Sequence, residues 1–338
     1  RGSDLLDGGA DYDTALLGVD HPFELRIYVG RAAEAQAEFL ETEFPGAIFS
    51  HDIVIAGSDE QIDYIRNVEL ITVDKVSSSV GDILDIRSLA AEHLGSLEAV
   101  DLGGGYDQID IQSLSAGGAR PDIDLRNPTE GSISIEGQGT LELRYIEDVL
   151  GSLGDDIIRG PDEITNIGFG REWESILEGG GGVDEITGGH VKTLIIGNPR
   201  EDTLRALGEG SRIEAGDGDD TILGSAAGTE IFGGAGADTI YLSGGIGVMD
   251  AAADDIIFGA DDFRLFGGWR WIESESIWAH GRGGFMVAKT IDGALALPSP
   301  GGGEEALDLA YVANYQDGLS GIGAKNDRTR RRQVAGLA

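Results

Sequence analysis

An apolar side chain returns every nine residues through the second half of the chain, without exception from residue 186 to residue 258. At a hydrophobic content of 41%, nine successive hits occur by chance about 3 × 10⁻⁴ of the time in one frame. A short strand that buries one side chain and then turns produces this spacing. The period therefore predicts repeated strand-and-turn units. The apolar positions are Ile186, Ile195, Leu204, Ile213, Ile222, Ile231, Ile240, Met249 and Phe258.

Two residues before most of these positions lies an aspartate or a hydroxyl side chain, and the two kinds alternate. If nine residues make half a coil, eighteen complete one, and the aspartates stack along one edge about 4.8 Å apart. Such a column of like charges repels itself unless a hard cation that takes six to eight oxygen ligands binds there, and calcium suits these flexible oxygen cages. One metal-bearing edge and one hydrogen-bonded edge are therefore expected. The positions are Asp184, Thr193, Asp202, Ser211, Asp220, Thr229 and Asp238.

Each of these aspartates ends a turn, and the cleanest turns are rich in glycine. Residues 179–184 read Gly-Gly-Gly-Gly-Val-Asp, and residues 233–238 read Gly-Gly-Ala-Gly-Ala-Asp. These units resemble the RTX (haemolysin-type) calcium-binding nonapeptide. The resemblance implies an all-β fold, a parallel β-roll or β-helix solenoid, with several Ca²⁺ ions between successive turns.

The resemblance also implies which residues hold the ions, namely turn glycines and the acidic residue that follows them. The turn of Asp202 departs from the pattern through Pro199 and Arg200, and Arg200 is expected to substitute for an ion there. A ten-residue step from Ile176 to Ile186, taken as a bulge, places Asp156 and Glu174 on the edge opposite Asp184. The candidate ligands are Gly179, Gly181, Asp184, Asp202, Gly216, Gly218, Asp220, Gly233, Gly236, Asp238, Gly151, Gly154, Asp156, Glu174, Asp107 and Asp13.

Composition and net charge restrict the kinds of molecule that the chain is expected to bind. The formal net charge is −37 and the pI is near 4.2, which argues against nucleic acid or an anionic membrane and in favour of cations. There is no cysteine, so disulfides, thiol chemistry and zinc–cysteine sites are excluded. No apolar run is long enough to span a membrane, and no signal peptide is readable at the N-terminus. Because the chain begins within a degenerate repeat, we expect a fragment or a processed product.

Three regions are predicted along the chain. Residues 1–140 form a degenerate β-solenoid with a short helical insertion at about 31–44, and residues 112–140 within it are irregular coils or a junction. Residues 141–268 form the RTX-type β-roll. Residues 269–338 form an aromatic C-terminal cap with three of the four tryptophans, then a linker and a basic tail that is either solvated or docks on a second copy.

Catalytic signatures are missing from the sequence. There is no HExxH, no G-x-S-x-G elbow, no P-loop and no Rossmann fingerprint, so we expect no enzyme. The expected function is an extracellular, calcium-stabilised structural or adhesive module of a larger bacterial surface or secreted assembly, exported by type 1 secretion and folding on calcium outside the cell. One alternative is a module that binds glycans or other surface proteins through the tryptophan-rich region. The other is an accessory or catalytic region of a secreted polysaccharide-active enzyme.

Overall fold

A computed structural model describes most of the chain between residues 5 and 242 and short strands beyond it. The described residues are 5–17, 25–30, 53–57, 62–73, 81–164, 171–242, 247–248, 256–258, 264–265, 269–272, 277–280, 284–287 and 294–296. The predicted helical insertion at 31–44 and the linker and basic tail lie outside these residues. Among the described residues, no helix is long and apolar enough to cross a membrane.

The described residues are almost entirely β-strand, and most strand neighbours are parallel, which confirms the all-β, parallel expectation. One short helix, α1 (Ala91–Leu94), was not predicted. The strands are β1 (Leu5–Asp7), β2 (Thr14–Leu17), β3 (Leu25–Val29), β4 (Ile53–Gly57), β5 (Ile62–Arg66), β6 (Leu70–Val73), β7 (Ile83–Ile86), β8 (Ala99–Asp101), β9 (Gln108–Asp110), β10 (Pro121–Asp124), β11 (Gly131–Ile135), β12 (Gly139–Arg144), β13 (Asp148–Leu150), β14 (Ile157–Arg159), β15 (Ser175–Glu178), β16 (Glu185–Thr187), β17 (Thr193–Pro199), β18 (Thr203–Ala206), β19 (Arg212–Asp217), β20 (Thr221–Gly224), β21 (Glu230–Ala235), β22 (Thr239–Leu242), β23 (Gly247–Val248), β24 (Ile256–Phe258), β25 (Arg264–Leu265), β26 (Trp269–Ile272), β27 (Ile277–His280), β28 (Gly284–Val287) and β29 (Ala294–Ala296).

The chain divides into two compact units, Arg1–Val191 and Lys192–Ala338. In the first unit, one sheet has the order β1-β5-β4-β3-β7-β9-β13-β15 and the other β2-β6-β8-β12-β11-β10-β14-β16. Each contains an antiparallel meander, β3-β4-β5 in one and β10-β11-β12 in the other. The expectation of irregular coils at 112–140 was therefore wrong for β10, β11 and the start of β12.

The second unit follows the repeat closely. Consecutive strands from β17 to β24 alternate between two sheets, and each strand from β17 to β22 pairs in parallel with the next strand of its own sheet. Ile195 pairs with Ile213 and Ile213 with Ile231, while Leu204 pairs with Ile222. The eighteen-residue period is thus confirmed from β17 to β22. Beyond it, β26, β27 and β28 form a separate antiparallel sheet that sets Trp271 opposite Trp278.

The core between residues 186 and 240 consists largely of the side chains that the nine-residue period selects. All seven such residues from Ile186 to Ile240 have no exposed surface. Each buried aliphatic side chain contributes about 1.5–3 kcal/mol relative to an exposed one. The period itself therefore encodes most of the core between residues 186 and 240.

The predicted frame was wrong at two positions. Leu177, not Ile176, is fully buried and pairs with Val149, so the step to Ile186 is nine residues and no bulge is present. Val248 pairs with Ile231, while the predicted residue, Met249, lies outside the described residues. In both places two apolar residues are adjacent, and the strand partner decides which one faces inward.

Candidate functional site

In the second unit, three stacked aspartates line one edge, which we call the acidic edge: Asp202, Asp220 and Asp238. The backbone N–H of Asp202 donates to Oδ1 of Asp220 at 2.7 Å, and that of Asp220 donates to Oδ1 of Asp238 at 3.0 Å. All three side chains are buried. The column predicted from the eighteen-residue spacing is therefore present from Asp202 to Asp238, and each carboxylate also ties its turn to the preceding one.

The turns of the acidic edge stack so closely that glycine is required at fixed places. Gly216, Gly234 and Gly236 have φ values of 116°, 96° and 141°. A methyl group placed on Gly234 would lie 1.9 Å from the carbonyl oxygen of Gly216, and one placed on Gly236 would lie 1.9 Å from that of Gly218. Any side chain there would force the turns apart. Predicted ligands Gly216, Gly218 and Gly236 are thus required by the stacking itself.

The second oxygen of Asp220 carries the strongest sign of a ligand. Its Oδ2 is fully enclosed and has no hydrogen-bond partner among the described residues. Burial, together with the nearby charges of Asp219 and Glu201, raises the pKa of Asp220 to about 6, although the hydrogen bond from the N–H of Asp202 lowers it. A buried carboxylate oxygen without a donor is costly unless a cation compensates it. A hard cation such as Ca²⁺ therefore fits this oxygen.

Asp202 and Asp238 are buried like Asp220. Their Oδ2 atoms are likewise enclosed. A methyl group on Gly197 would lie 2.5 Å from Oδ2 of Asp202, and one on Gly233 would lie 2.3 Å from Oδ2 of Asp238. Gly233, a predicted ligand, therefore makes room for the carboxylate.

Arg200 does not neutralise the acidic edge. Its backbone has φ 111° and its N–H donates to the carbonyl of Asp217 at 2.6 Å. Its guanidinium makes no hydrogen bond or ion pair with the part of the chain that the structure describes. The expectation that Arg200 substitutes for an ion beside Asp202 was therefore wrong, since the guanidinium does not bind that carboxylate.

The opposite edge of the second unit carries hydroxyls, as the alternation predicts. Ser211 Oγ accepts the N–H of Thr193 at 3.0 Å and donates to the carbonyl of Gly208 at 2.8 Å. Thr229 Oγ1 donates to the carbonyl of Ala226 at 2.8 Å. The predicted hydrogen-bonded edge is confirmed, and it closes with neutral groups alone.

In the first unit, Asp156 and Asp184 lie on one edge, because the N–H of Asp156 donates to Oδ1 of Asp184 at 2.8 Å and β14 pairs with β16. The prediction that placed Asp156 opposite Asp184 was wrong. Its error follows from the misassigned bulge at Ile176. Both oxygens of Asp156 accept hydrogen bonds from Ser152, one from its N–H at 2.7 Å and one from its hydroxyl at 3.0 Å. Burial nevertheless raises the pKa of Asp156 to about 7 and that of Asp184 to about 6.

The glycines of this first-unit edge differ in part from the predicted set. The residues with positive φ are Gly180 and Gly182, at 93° and 126°. A methyl group on Gly180 would lie 2.2 Å from the carbonyl oxygen of Ser152, whereas one on Gly181 would make ordinary contacts only. A methyl group on Gly151 would lie 2.0 Å from the carbonyl oxygen of predicted ligand Gly179, while one on Gly154 would make only an ordinary contact with Ser152. Position in the turn, rather than glycine content, could have identified Gly180 and Gly182.

A second acidic column in the first unit was partly missed. The N–H of Asp82 donates to Oδ1 of Asp107 at 2.6 Å, and that of Asp107 donates to Glu147 at 2.9 Å. The next coil has Ser175, whose hydroxyl donates to the carbonyl of Glu147 at 2.6 Å. Glu174 therefore does not occupy the column. Asp82 was detectable, since it precedes the buried Leu84 by two residues just as Asp107 precedes Ile109.

Asp13 repeats the second-unit geometry near the start of the chain. Its N–H donates to Glu69 at 2.7 Å. Its Oδ2 is enclosed, without a hydrogen-bond partner among the described residues, and a methyl group on Gly8 would meet that atom at 3.0 Å. Asp13 therefore stays a predicted ligand position, because a cation would compensate its enclosed Oδ2.

Two further features bear on chemistry. Among the described residues, no group of three or more histidine, cysteine, aspartate or glutamate side chains converges on a point. Each turn offers one column carboxylate, so the remaining oxygens of a metal site would be backbone carbonyls.

A groove of about 520 Å³ in the first unit lies between residues 112–120 and 152–155, and Asp155 is the single carboxylate in its lining.

No protein-family model matches the chain, and a search of curated proteins finds no significant match. The class of the protein therefore rests on its fold and on its stacked acidic turns.

Proposed function

We propose that the chain is a calcium-stabilised β-roll of RTX type, a structural or adhesive module of a larger extracellular bacterial assembly. The parallel two-sheet arrangement with an eighteen-residue register supports the roll. The observation that supports calcium binding is the enclosed Oδ2 of Asp220, which accepts no hydrogen bond from the described residues. Asp202, Asp220 and Asp238, with the carbonyls of turn glycines such as Gly216 and Gly218, would hold the ions.

The ion would act on folding through the acidic edge. In the folded chain the edge concentrates negative charge, because Glu201 and Asp219 flank Asp220. Without a cation this repulsion opposes stacking of the turns. A ligand that binds the folded state alone stabilises it in proportion to the logarithm of its concentration above the dissociation constant. Calcium outside the cell would thereby close a chain that stays open during export.

Circular dichroism of the full chain tests this proposal. The chain is first stripped with EDTA, and calcium or magnesium is then added to separate samples. We expect the β-sheet signal to rise with calcium and much less with magnesium, because magnesium requires near-ideal octahedral geometry and releases its water reluctantly. Identical spectra in EDTA and in calcium, with no bound metal detected by elemental analysis, would refute the proposal.

A further inference from the structure

Arg120 lies at the edge that carries Asp156 and Asp184 in the first unit. Its guanidinium donates to the carbonyl oxygen of Asp156 at 2.9 Å and to that of Val183 at 3.5 Å. These carbonyls belong to two successive stacked turns, residues 151–156 and 179–184. A single positive group thus joins two turns through backbone oxygens at the point where two buried carboxylates stack.

The charge of Arg120 reaches both carboxylates. It acts to lower the pKa of Asp156 and that of Asp184, against the raising effect of burial. An arginine stays charged under all ordinary conditions and presents five N–H donors in a planar fork. At this edge the protein therefore supplies its own cation.

Asp220, on the acidic edge of the second unit, has different charges around it. The charges that act on Asp220 are those of Asp219 and Glu201, and both are negative. Asp156 has two hydrogen bonds from Ser152, whereas the turn of Asp220 has Gly216 at the corresponding position. Asp156 is thus compensated by groups of the chain itself, whereas the Oδ2 of Asp220 has no donor among the described residues.

A second arginine repeats the arrangement on the other edge of the first unit. Arg171 pairs with Asp148 at 2.8 Å and lies 4.3 Å from the centre of the Tyr106 ring. Its charge also opposes the burial that raises the pKa of Glu147 to about 7. Both arginines come from segments outside the strict repeat, so the insertions that lengthen the coils of the first unit also bring positive charge to its edges.

We propose that Arg120 is a built-in substitute for a metal ion between turns 151–156 and 179–184, so that this edge closes without calcium while the acidic edge of the second unit requires it. Only the second half of this inference, that the acidic edge of the second unit requires calcium, rests on the proposed function. It predicts one chain with two responses to chelation, and the response of each turn can be measured separately.

Hydrogen–deuterium exchange of the full chain, in EDTA and in calcium, provides the test. We expect calcium to slow exchange at the backbone N–H groups of Asp202 and Asp220 by at least about tenfold. Exchange at those of Asp156 and Glu185 should change by less than about twofold, because their acceptors in the adjoining turn are already held in place. Equal calcium protection at both edges would overturn the inference and leave the proposed function intact. No calcium effect at either edge would overturn the proposed function.

The variant Arg120→Gln tests the substitution directly, since it removes the charge and keeps a polar side chain. In EDTA we expect exchange at residues 151–156 and 179–184 to accelerate at least about tenfold, as for loss of a charged hydrogen bond. Arg126→Gln is the matched control, because Arg126 forms an exposed ion pair with Asp124 on the same unit. Equal exchange rates in the two variants at these turns would overturn the role of Arg120, whatever calcium does elsewhere.

Discussion

Equivalent residues of this repeat are stabilised in different ways. Asp156 and Asp220 both precede a buried isoleucine by two residues, and both accept or donate backbone hydrogen bonds between turns. Ser152 satisfies the oxygens of Asp156, whereas one oxygen of Asp220 is enclosed without a donor among the described residues. An aspartate at this position is therefore not enough to predict a metal site. The other residues of its turn decide whether its carboxylate oxygens are already satisfied.

Turn glycines provide a test at the level of single residues. Gly236→Ala places a methyl group 1.9 Å from the carbonyl oxygen of Gly218, at φ 141°. Gly228→Ala is the control, since it shares positive φ but has neighbours no closer than 3.6 Å. We expect Gly228→Ala to cost about 1–2 kcal/mol of unfolding free energy through backbone strain. Gly236→Ala should cost about 1–3 kcal/mol more, because the turns must separate.

Urea unfolding in saturating calcium measures both changes. Equal losses for the two variants would show that the turns are not stacked at the distance described.

At the level of elements, the two edges of the second unit flank the same strands but hold successive turns together through different chemical groups. The acidic edge joins turns through carboxylates, whereas on the opposite edge Ser211 joins two turns and the hydroxyl of Thr229 donates within its own turn. Hydroxyls close their edge without net charge. Only the acidic edge is expected to respond to a cation.

Ser211→Ala tests this division. It removes the acceptor of the buried N–H of Thr193, and an unsatisfied buried donor costs about 1–3 kcal/mol. We expect the same loss of unfolding free energy at two calcium concentrations that both fold the second unit. The exposed Ser225, which donates to the carbonyl of Ala206, gives the control variant Ser225→Ala with a smaller loss. A calcium-dependent loss for Ser211→Ala would contradict the neutral role of this edge.

Much of this arrangement was predictable from spacing, and the errors have physical causes. The period fixed the inward residues where no apolar residue is adjacent, as at Ile213, and also at Ile222, where the adjacent Leu223 is apolar too. It misplaced the frame at Ile176, because Leu177 next to it is also apolar and pairing with Val149 selects Leu177. Placement of Asp156 then failed as well. The contact of Arg120 with residues 63 positions away has no local sequence signal.

At the scale of the whole molecule, a net charge of −37 must be accommodated in a fold that buries many of its carboxylates. In the first unit, Arg120 and Arg171 compensate part of the negative charge of the buried carboxylates. In the second unit Arg200 lies in a turn of the acidic edge, but its guanidinium makes no hydrogen bond or ion pair with the described residues. We therefore expect dependence on an external cation in the part of the chain where the coils are regular.

Calorimetric titration of the full chain with calcium tests the central claim most directly, with Asp220→Asn as the variant and Glu209→Gln as the control. Asparagine keeps the oxygen that accepts the N–H of Asp202 and removes the charge, while Glu209 is exposed on the hydroxyl edge. We expect the wild type and Glu209→Gln to bind calcium equally. Asp220→Asn should lose at least one site or weaken it by at least about tenfold, since carboxylate count sets calcium affinity. Calcium binding by Asp220→Asn that is indistinguishable from the wild type would contradict the account.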